Sequence, residues 1–249
     1  LLFTGLILHN ETKLLADRSL ILSLGGRFEQ ILAREESFGR IIYRHFSPRV
    51  SVIWKFAPRH SLRLSGASSF RTPQPWETFA DARMESAIPG DSSKRLLVGN
   101  PRLRPEQLIG LEAGYRGLLF ESLRVDAVAF LQRVEGLIDD VRENVLPVIK
   151  DNLDDLEQAG IELGLGINPS TSLSAYLNYT FTWTRDANSH QVREEWPVHI
   201  WNLGSELRLA WHMRFNLDAY LVFDYQPTIS SVENAVGGYP QLVWERRQA

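Results

Sequence analysis

Six histidines, at positions 9, 45, 60, 190, 199 and 212, are the first places to look for acid–base or metal chemistry. No two stand in a ligand spacing such as H-x-x-x-H, so each reads as a surface or interfacial histidine. Two adjacent acidic pairs, Asp139-Asp140 and Asp154-Asp155, have the oxygens for calcium, but solvated loop charge is the favoured reading. Cysteine is absent, which removes disulfides, thiolate ligands and thiol nucleophiles. Neither a Gly-rich phosphate loop nor a G-x-S-x-G elbow occurs. The expected chemistry is therefore binding, with no enzyme activity, no metal centre and no cofactor. The candidate ligand residues are Arg71, Trp76, Glu77 and Phe79, a guanidinium, a carboxylate and two rings in one long loop. In the competing reading, Trp76 and Phe79 only pack that loop against its support. Arg104 and Arg116 are candidates to pair structurally with Glu106 and Glu112.

The elements that must position these residues read as strands. Leu2–Leu14 reads as a strand of ambiguous parity, and period-2 alternation marks Ser19–Gln30, Arg49–Phe56, Ser61–Phe70, Gln107–Arg116, Leu123–Gln132, Leu156–Ile167, Ser172–Trp183, His199–Trp211 and Phe215–Tyr225. Leu242–Trp244 reads as the start of another, giving about eleven in all. In Ser172–Trp183, Leu173, Ala175, Leu177, Tyr179, Phe181 and Trp183 face one way, and Ser174, Tyr176, Asn178 and Thr180 the other. Short connections fall at 15–18, 57–60, 117–122, 168–171 and 211–214, and long ones at 31–46, 71–104, 135–150, 184–195 and 226–239. Gln74–Ala82 reads as a short helix inside the 71–104 loop.

Composition narrows the class. The 249 residues are 44% hydrophobic and 23% charged, so the chain is built to fold. A net charge of −3 and the lack of a basic stripe argue against a nucleic-acid partner. Mean hydropathy is −0.19, and no run approaches the ~18 apolar residues of a membrane helix. Alternating strands of a membrane barrel escape that test, because every second residue faces water. Alternation alone leaves two readings open: a soluble β-sandwich with its apolar face inside, or a membrane barrel with its apolar face outside. In an up-and-down meander all short turns lie at one end and all long loops at the other. That asymmetry and the strand length favour an all-β, antiparallel, up-and-down transmembrane barrel. Arg63, Glu112, Glu162, Glu206 and Arg208 then sit mid-strand because they face a watery lumen.

Specific residues carry a resemblance as well. Phe70-Arg71-Thr72-Pro73 after a strand, Asn100-Pro101-Arg102-Leu103-Arg104-Pro105-Glu106, and Glu112-Ala113-Gly114-Tyr115-Arg116 follow in order. With weaker matches at Ser47–Val50, Gly160–Leu163 and Leu137–Asp140, they cover about residues 5–225. The chain resembles the C-terminal part of the β-barrel of TonB-dependent outer-membrane receptors. That resemblance implies about half of a barrel of ~22 strands, read as a single partial domain over residues 1–249. It further implies a bacterial outer-membrane location, lipid as the surrounding medium, and uptake of a bulky scarce nutrient such as a ferric siderophore. Energy would come from the TonB complex acting through a plug. The alternatives are a passive porin-like barrel and a soluble sandwich binding module. No signal peptide, TonB box, plug sequence or closing aromatic strand is read here, so the expectation is a piece of a longer protein.

Overall fold

A computed structural model describes residues 2–15, 17, 19–35, 39–84, 94–141, 147–193, 196–209, 211 and 213–224. Its strands are β1 (Leu2–Lys13), β2 (Leu20–Glu35), β3 (Gly39–Ala57), β4 (His60–Arg71), β5 (Asp81–Met84), β6 (Lys94–Val98), β7 (Glu106–Leu119), β8 (Leu123–Asp140), β9 (Val148–Ile167), β10 (Leu173–Asp186), β11 (His199–Arg208) and β12 (Arg214–Phe223). One short helix, α1 (Pro75–Phe79), interrupts them. Ten strands form one antiparallel sheet in the order β1-β2-β3-β4-β7-β8-β9-β10-β11-β12. β1 and β12 are its two edges, so the described residues form an open, partial barrel wall.

The register explains the alternation. One cross-strand row reads Leu20, Trp54, Leu62, Tyr115, Ala127, Leu163, Tyr179, Trp201 and Leu221, apolar from end to end. Two residues along, a second row reads Leu22, Val52, Leu64, Ala113, Ala129, Ile161, Phe181, His199 and Phe223. The opposite face carries Ser51, Ser65, Glu112, Phe130, Gly160 and Thr182 in a single row, polar apart from the buried Phe130 ring. Most of the large apolar side chains stay exposed, Leu64 at 62% and Leu131 at 61% among them. A soluble sandwich would cover that face with a second sheet, and none lies over it among the described residues.

Because a register row runs perpendicular to the strands, its drift measures their tilt. Leu20 opens β2, Tyr115 lies four residues from the end of β7 (119 − 115), and Leu221 lies seven past the start of β12 (221 − 214). At ~3.3 Å per residue and ~4.8 Å per strand, seven residues over eight strand-to-strand steps give a tilt of about 31°. That is just below the usual range for barrels. The apolar stretch on β9, Ala159 to Ile167, then spans about 23 Å along the barrel axis, close to the ~25 Å band of an outer-membrane barrel.

The expected loops are shorter than the sequence suggested. Residues 31–46 are mostly hairpin, with β2 and β3 paired from Leu20↔Trp54 to Glu35↔Gly39. β8 and β9 likewise pair up to Asp140↔Lys150, inside the expected 135–150 loop. Above the apolar band both sheet faces meet water, so alternation fades while backbone pairing continues. Pro48 lies inside β3 and does not open it. It faces Gly26 on β2, and pairing with β4 stops one residue below it, at Arg49↔Ala67. A residue that cannot donate thus sits where β3 parts from β4. The 71–104 segment holds α1 at the expected helix, and β5 and β6, which pair with each other. At the other end β11 stops at Arg208, and Trp211 takes a positive φ of 61° in the turn. The expected strand at 242–244, the 226–239 loop, Tyr225 and His212 lie outside the described residues.

Candidate ligand site at the loop-bearing end

Arg71 is the last residue of β4, directly opposite Glu106, the first residue of β7. Its Nε and Nη2 donate to the two Glu106 oxygens at 2.6 and 2.7 Å, a bidentate fork. Its Nη1 donates to both oxygens of Glu77 at 3.1 Å. Both carboxylates are buried, Glu77 at 4% and Glu106 at 8% exposure. Glu106 also accepts from the Ile138 N–H at 2.8 Å, which joins β8 to the same knot.

Helix α1 is short because its two ends are fixed. Pro73 and Pro75 bracket Gln74, and Pro75 supplies a helical φ at the first helical position. The Glu77 carboxylate accepts from the Gln74 N–H at 2.7 Å, so one carboxylate both caps the helix and holds Arg71. Gly99 lies against the helix end. A Cβ there would meet backbone atoms of Thr78, Phe79 and Ala80 at 2.6 Å, so only glycine allows the approach. Asn100 then donates to the Lys150 carbonyl at 3.1 Å, and Asn152 exchanges hydrogen bonds with the Arg104 backbone at 2.8 and 2.9 Å. The segment from Asn100 to Glu106 is in this way stitched to β9 and β7.

Of the four expected ligand residues, the structure joins Arg71 and Glu77 to each other. Trp76 is 43% exposed, with its Nε1 donating to Gln74 at 2.6 Å. Phe79 is half-buried on the same helix. The expected pairings of Arg104 and Arg116 are corrected. Arg71 holds Glu106, Arg63 holds Glu112 at 2.9 Å, and Arg116 pairs with Asp126. Sequence proximity suggested the first set, but side chains meet across strands. Each acidic pair also meets cations: Asp140 with Lys150, Asp154 with Arg193, and Asp155 with Arg133.

The five charges expected to line the lumen share one face, with Arg208 at the end of β11 rather than mid-strand. Arg63 lies opposite Gly114, and that row continues through Val128, Glu162, Thr180 and Ile200. Glu112 is two residues from Gly114, and Glu206 and Arg208 keep the parity of Ile200. Near them, Tyr176 folds over Gly204 and donates to Asp218 at 2.7 Å. Higher on the polar face, His45 Nε2 and Ser47 Oγ are buried with no hydrogen-bond partner among the described residues, while the Tyr43 hydroxyl lies against the Thr78 side chain. His45 stacks on Phe70 at 3.9 Å, bridging the gap where β3 leaves β4. Beyond the apolar band, Ser189 N–H and hydroxyl, the Asn188 N–H and Arg193 hold the Asp186 carboxyl below its ordinary range. That carboxylate closes the turn after β10.

Sequence reading did not find Glu106 as the partner of Arg71, nor the parts played by Asn100, Asn152 and Asp186. Arg71 and Glu106 lie 35 residues apart, and no local pattern links them.

The family model for the TonB dependent receptor-like beta-barrel matches residues 4–240. Among curated proteins, an iron-regulated outer membrane virulence protein of Vibrio cholerae serotype O1 is 25% identical over 220 residues. The match covers 82% of this chain and 31% of that protein, so the chain spans about a third of its relative's length. Among solved structures, the FrpB iron transporter from Neisseria meningitidis (F3-3 variant) superposes with a TM-score of 0.64 at 12% identity, covering 88% of this chain and 32% of that one. The siderophore receptor PirA from Pseudomonas aeruginosa gives a TM-score of 0.64 at 15% identity, with 89% and 40% covered. At such identities the structures speak for the fold.

Proposed function

Because the chain belongs to the TonB-dependent receptor β-barrel family, we propose that it forms part of the wall and mouth of a receptor importing a ferric siderophore. The family is one of transporters and receptors, and its barrels lie in the bacterial outer membrane. The observation that carries the reading is the two-faced sheet. An exposed apolar band of outer-membrane height backs a face lined by Arg63, Glu112, Glu162, Glu206 and Arg208. That face lines the lumen, and the orphaned polar atoms of His45 and Ser47 find partners in a plug supplied by the rest of the protein. TonB acts through the plug. A relative described as iron-regulated and a neighbour described as a siderophore receptor support iron as the cargo.

At the mouth, Arg71 and Glu77 hold the platform and Trp76 meets the ligand, with Phe79 half-buried on the same helix. The experiment is uptake of iron-55 by cells whose only siderophore receptor is the full-length protein, supplied with one ferric siderophore at a time. Accumulation that stops when TonB is deleted is the expected result. Accumulation that continues without TonB would replace this reading with a passive pore.

A further inference from the structure

The upper part of the β2–β3 hairpin has an outer face unlike the rest of the wall. Phe28 and Phe46 face each other at the top of the apolar band, 46% and 65% exposed. The next outward-facing pair is Gln30 and Arg44, joined at 2.9 Å. Then come Leu32 opposite Ile42, and Arg34 directly opposite Arg40. All three arginines are exposed. Like charges placed directly across an antiparallel pair repel each other. Two other arginines on the outward face, Arg133 and Arg185, meet carboxylates instead. No ion pair forms at Arg34, Arg40 or Arg44 among the described residues; Glu29 points to the opposite face and holds Arg27 at 2.7 Å, and Glu35, opposite Gly39, has the parity of Glu29.

We propose that Arg34, Arg40 and Arg44 form a binding site for the phosphate-bearing headgroup of an outer-leaflet lipid, whose acyl chains pack on Phe28 and Phe46. The inference rests on the outer-membrane location of the barrel. Geometry and charge fit together. The rungs of Arg44 and Arg34 are four residues apart, about 11 Å in height at the strand tilt, which suits an extended, multiply charged headgroup. Leu32 and Ile42 between the rungs offer apolar surface to the chains that leave it. Guanidinium groups match phosphate oxygens in a bidentate fork, and a phosphate between Arg34 and Arg40 turns their repulsion into attraction.

The test uses the full-length protein in a non-ionic detergent, with the folded barrel followed by its heat-modifiable migration on gels. A diphosphorylated glycolipid, the same lipid dephosphorylated, and inorganic phosphate are titrated separately. The diphosphorylated lipid should raise the midpoint of heat modification, and the other two should not. Each arginine near an anionic headgroup is worth about fivefold in binding. R44Q should therefore weaken the lipid effect about fivefold, and R34Q/R40Q/R44Q about a hundredfold. R59Q, at a short turn, is the control and should leave it unchanged. Two results overturn the site: an equal response to the dephosphorylated lipid or to free phosphate, or a triple variant that responds like the parent. Failure to migrate as a heat-modifiable species without added lipid would instead overturn the barrel reading.

Discussion

Arg71 is the residue on which the loop-bearing end depends. Three strands and one helix meet at its guanidinium, through Glu106, Glu77 and the Ile138 N–H that Glu106 also receives. Removing it leaves two buried carboxylates facing each other without a cation. Breaking a buried pair from one side costs about 3–5 kcal/mol, and the 40% exposure of the Arg71 side chain argues for the low end. Arg71→Ala should therefore destabilise the platform by about 3 kcal/mol. Arg71→Lys should fall between the two, because an ammonium cannot form the fork with Glu106 while reaching Glu77. Amide exchange over 72–80 and 99–105 of the full-length protein measures this. Unchanged protection in Arg71→Ala would remove Arg71 from this role. A residue expected at the ligand site is thus also tied to Glu106 and Glu77, beside the exposed Trp76.

At the level of elements, the glycines of the polar face show how closely packed the wall is. Gly160 on β9 faces Phe130 on β8, and a Cβ there would lie 2.3 Å from the ring and 2.4 Å from the Phe181 carbonyl oxygen. The ring can rotate away, but the carbonyl belongs to the β10 ladder and cannot. Gly160→Ala should destabilise the folded barrel by about 1–3 kcal/mol, with little rescue from Phe130→Leu. Urea midpoints of the refolded protein decide it, and full rescue by the second change would assign the clash to the ring alone. Such contacts also mark what was legible beforehand. The strands Ser61–Phe70, Leu123–Gln132 and Ser172–Trp183 were readable because lipid on one side and water on the other force a period of two. The upper hairpins 31–46 and 135–150 were not, since both their faces are wet and their order comes from backbone pairing, which leaves no mark on side-chain type. The short helix was readable from Pro75 and the Gln74–Glu77 capping pair. The fork between Arg71 and Glu106 was not, because only the β4–β7 register brings the two together.

For the whole molecule, the tilt of the strands makes a prediction that no single element does. Three tryptophans lie on the outward face at different distances from the short-turn end. Trp54 is three residues from the end of β3 (57 − 54), Trp201 is seven from the end of β11 (208 − 201), and Trp183 is ten from the start of β10 (183 − 173). A tilt of about 31° converts the seven-residue difference between Trp54 and Trp183 into about 20 Å of depth. The two therefore belong to opposite interfaces of the bilayer, where indole rings with a polar N–H settle in barrel girdles. Along the barrel axis Trp201 lies about 11 Å further from the short-turn end than Trp54, on the loop-bearing side of the midplane. Single-tryptophan versions of the full-length protein, reconstituted with lipids brominated at defined acyl positions, test this by fluorescence quenching. Trp54 and Trp183 should respond most to bromines near the headgroups and Trp201 to bromines deeper in the chains. Equal depth for Trp54 and Trp183 would mean that the register row does not climb. Protection of all three from lipid quencher would mean that the apolar face is turned inward, as in a soluble sandwich. The depth order thus tests sheet register, strand tilt and membrane orientation together, because each of them fixes where those three rings must lie.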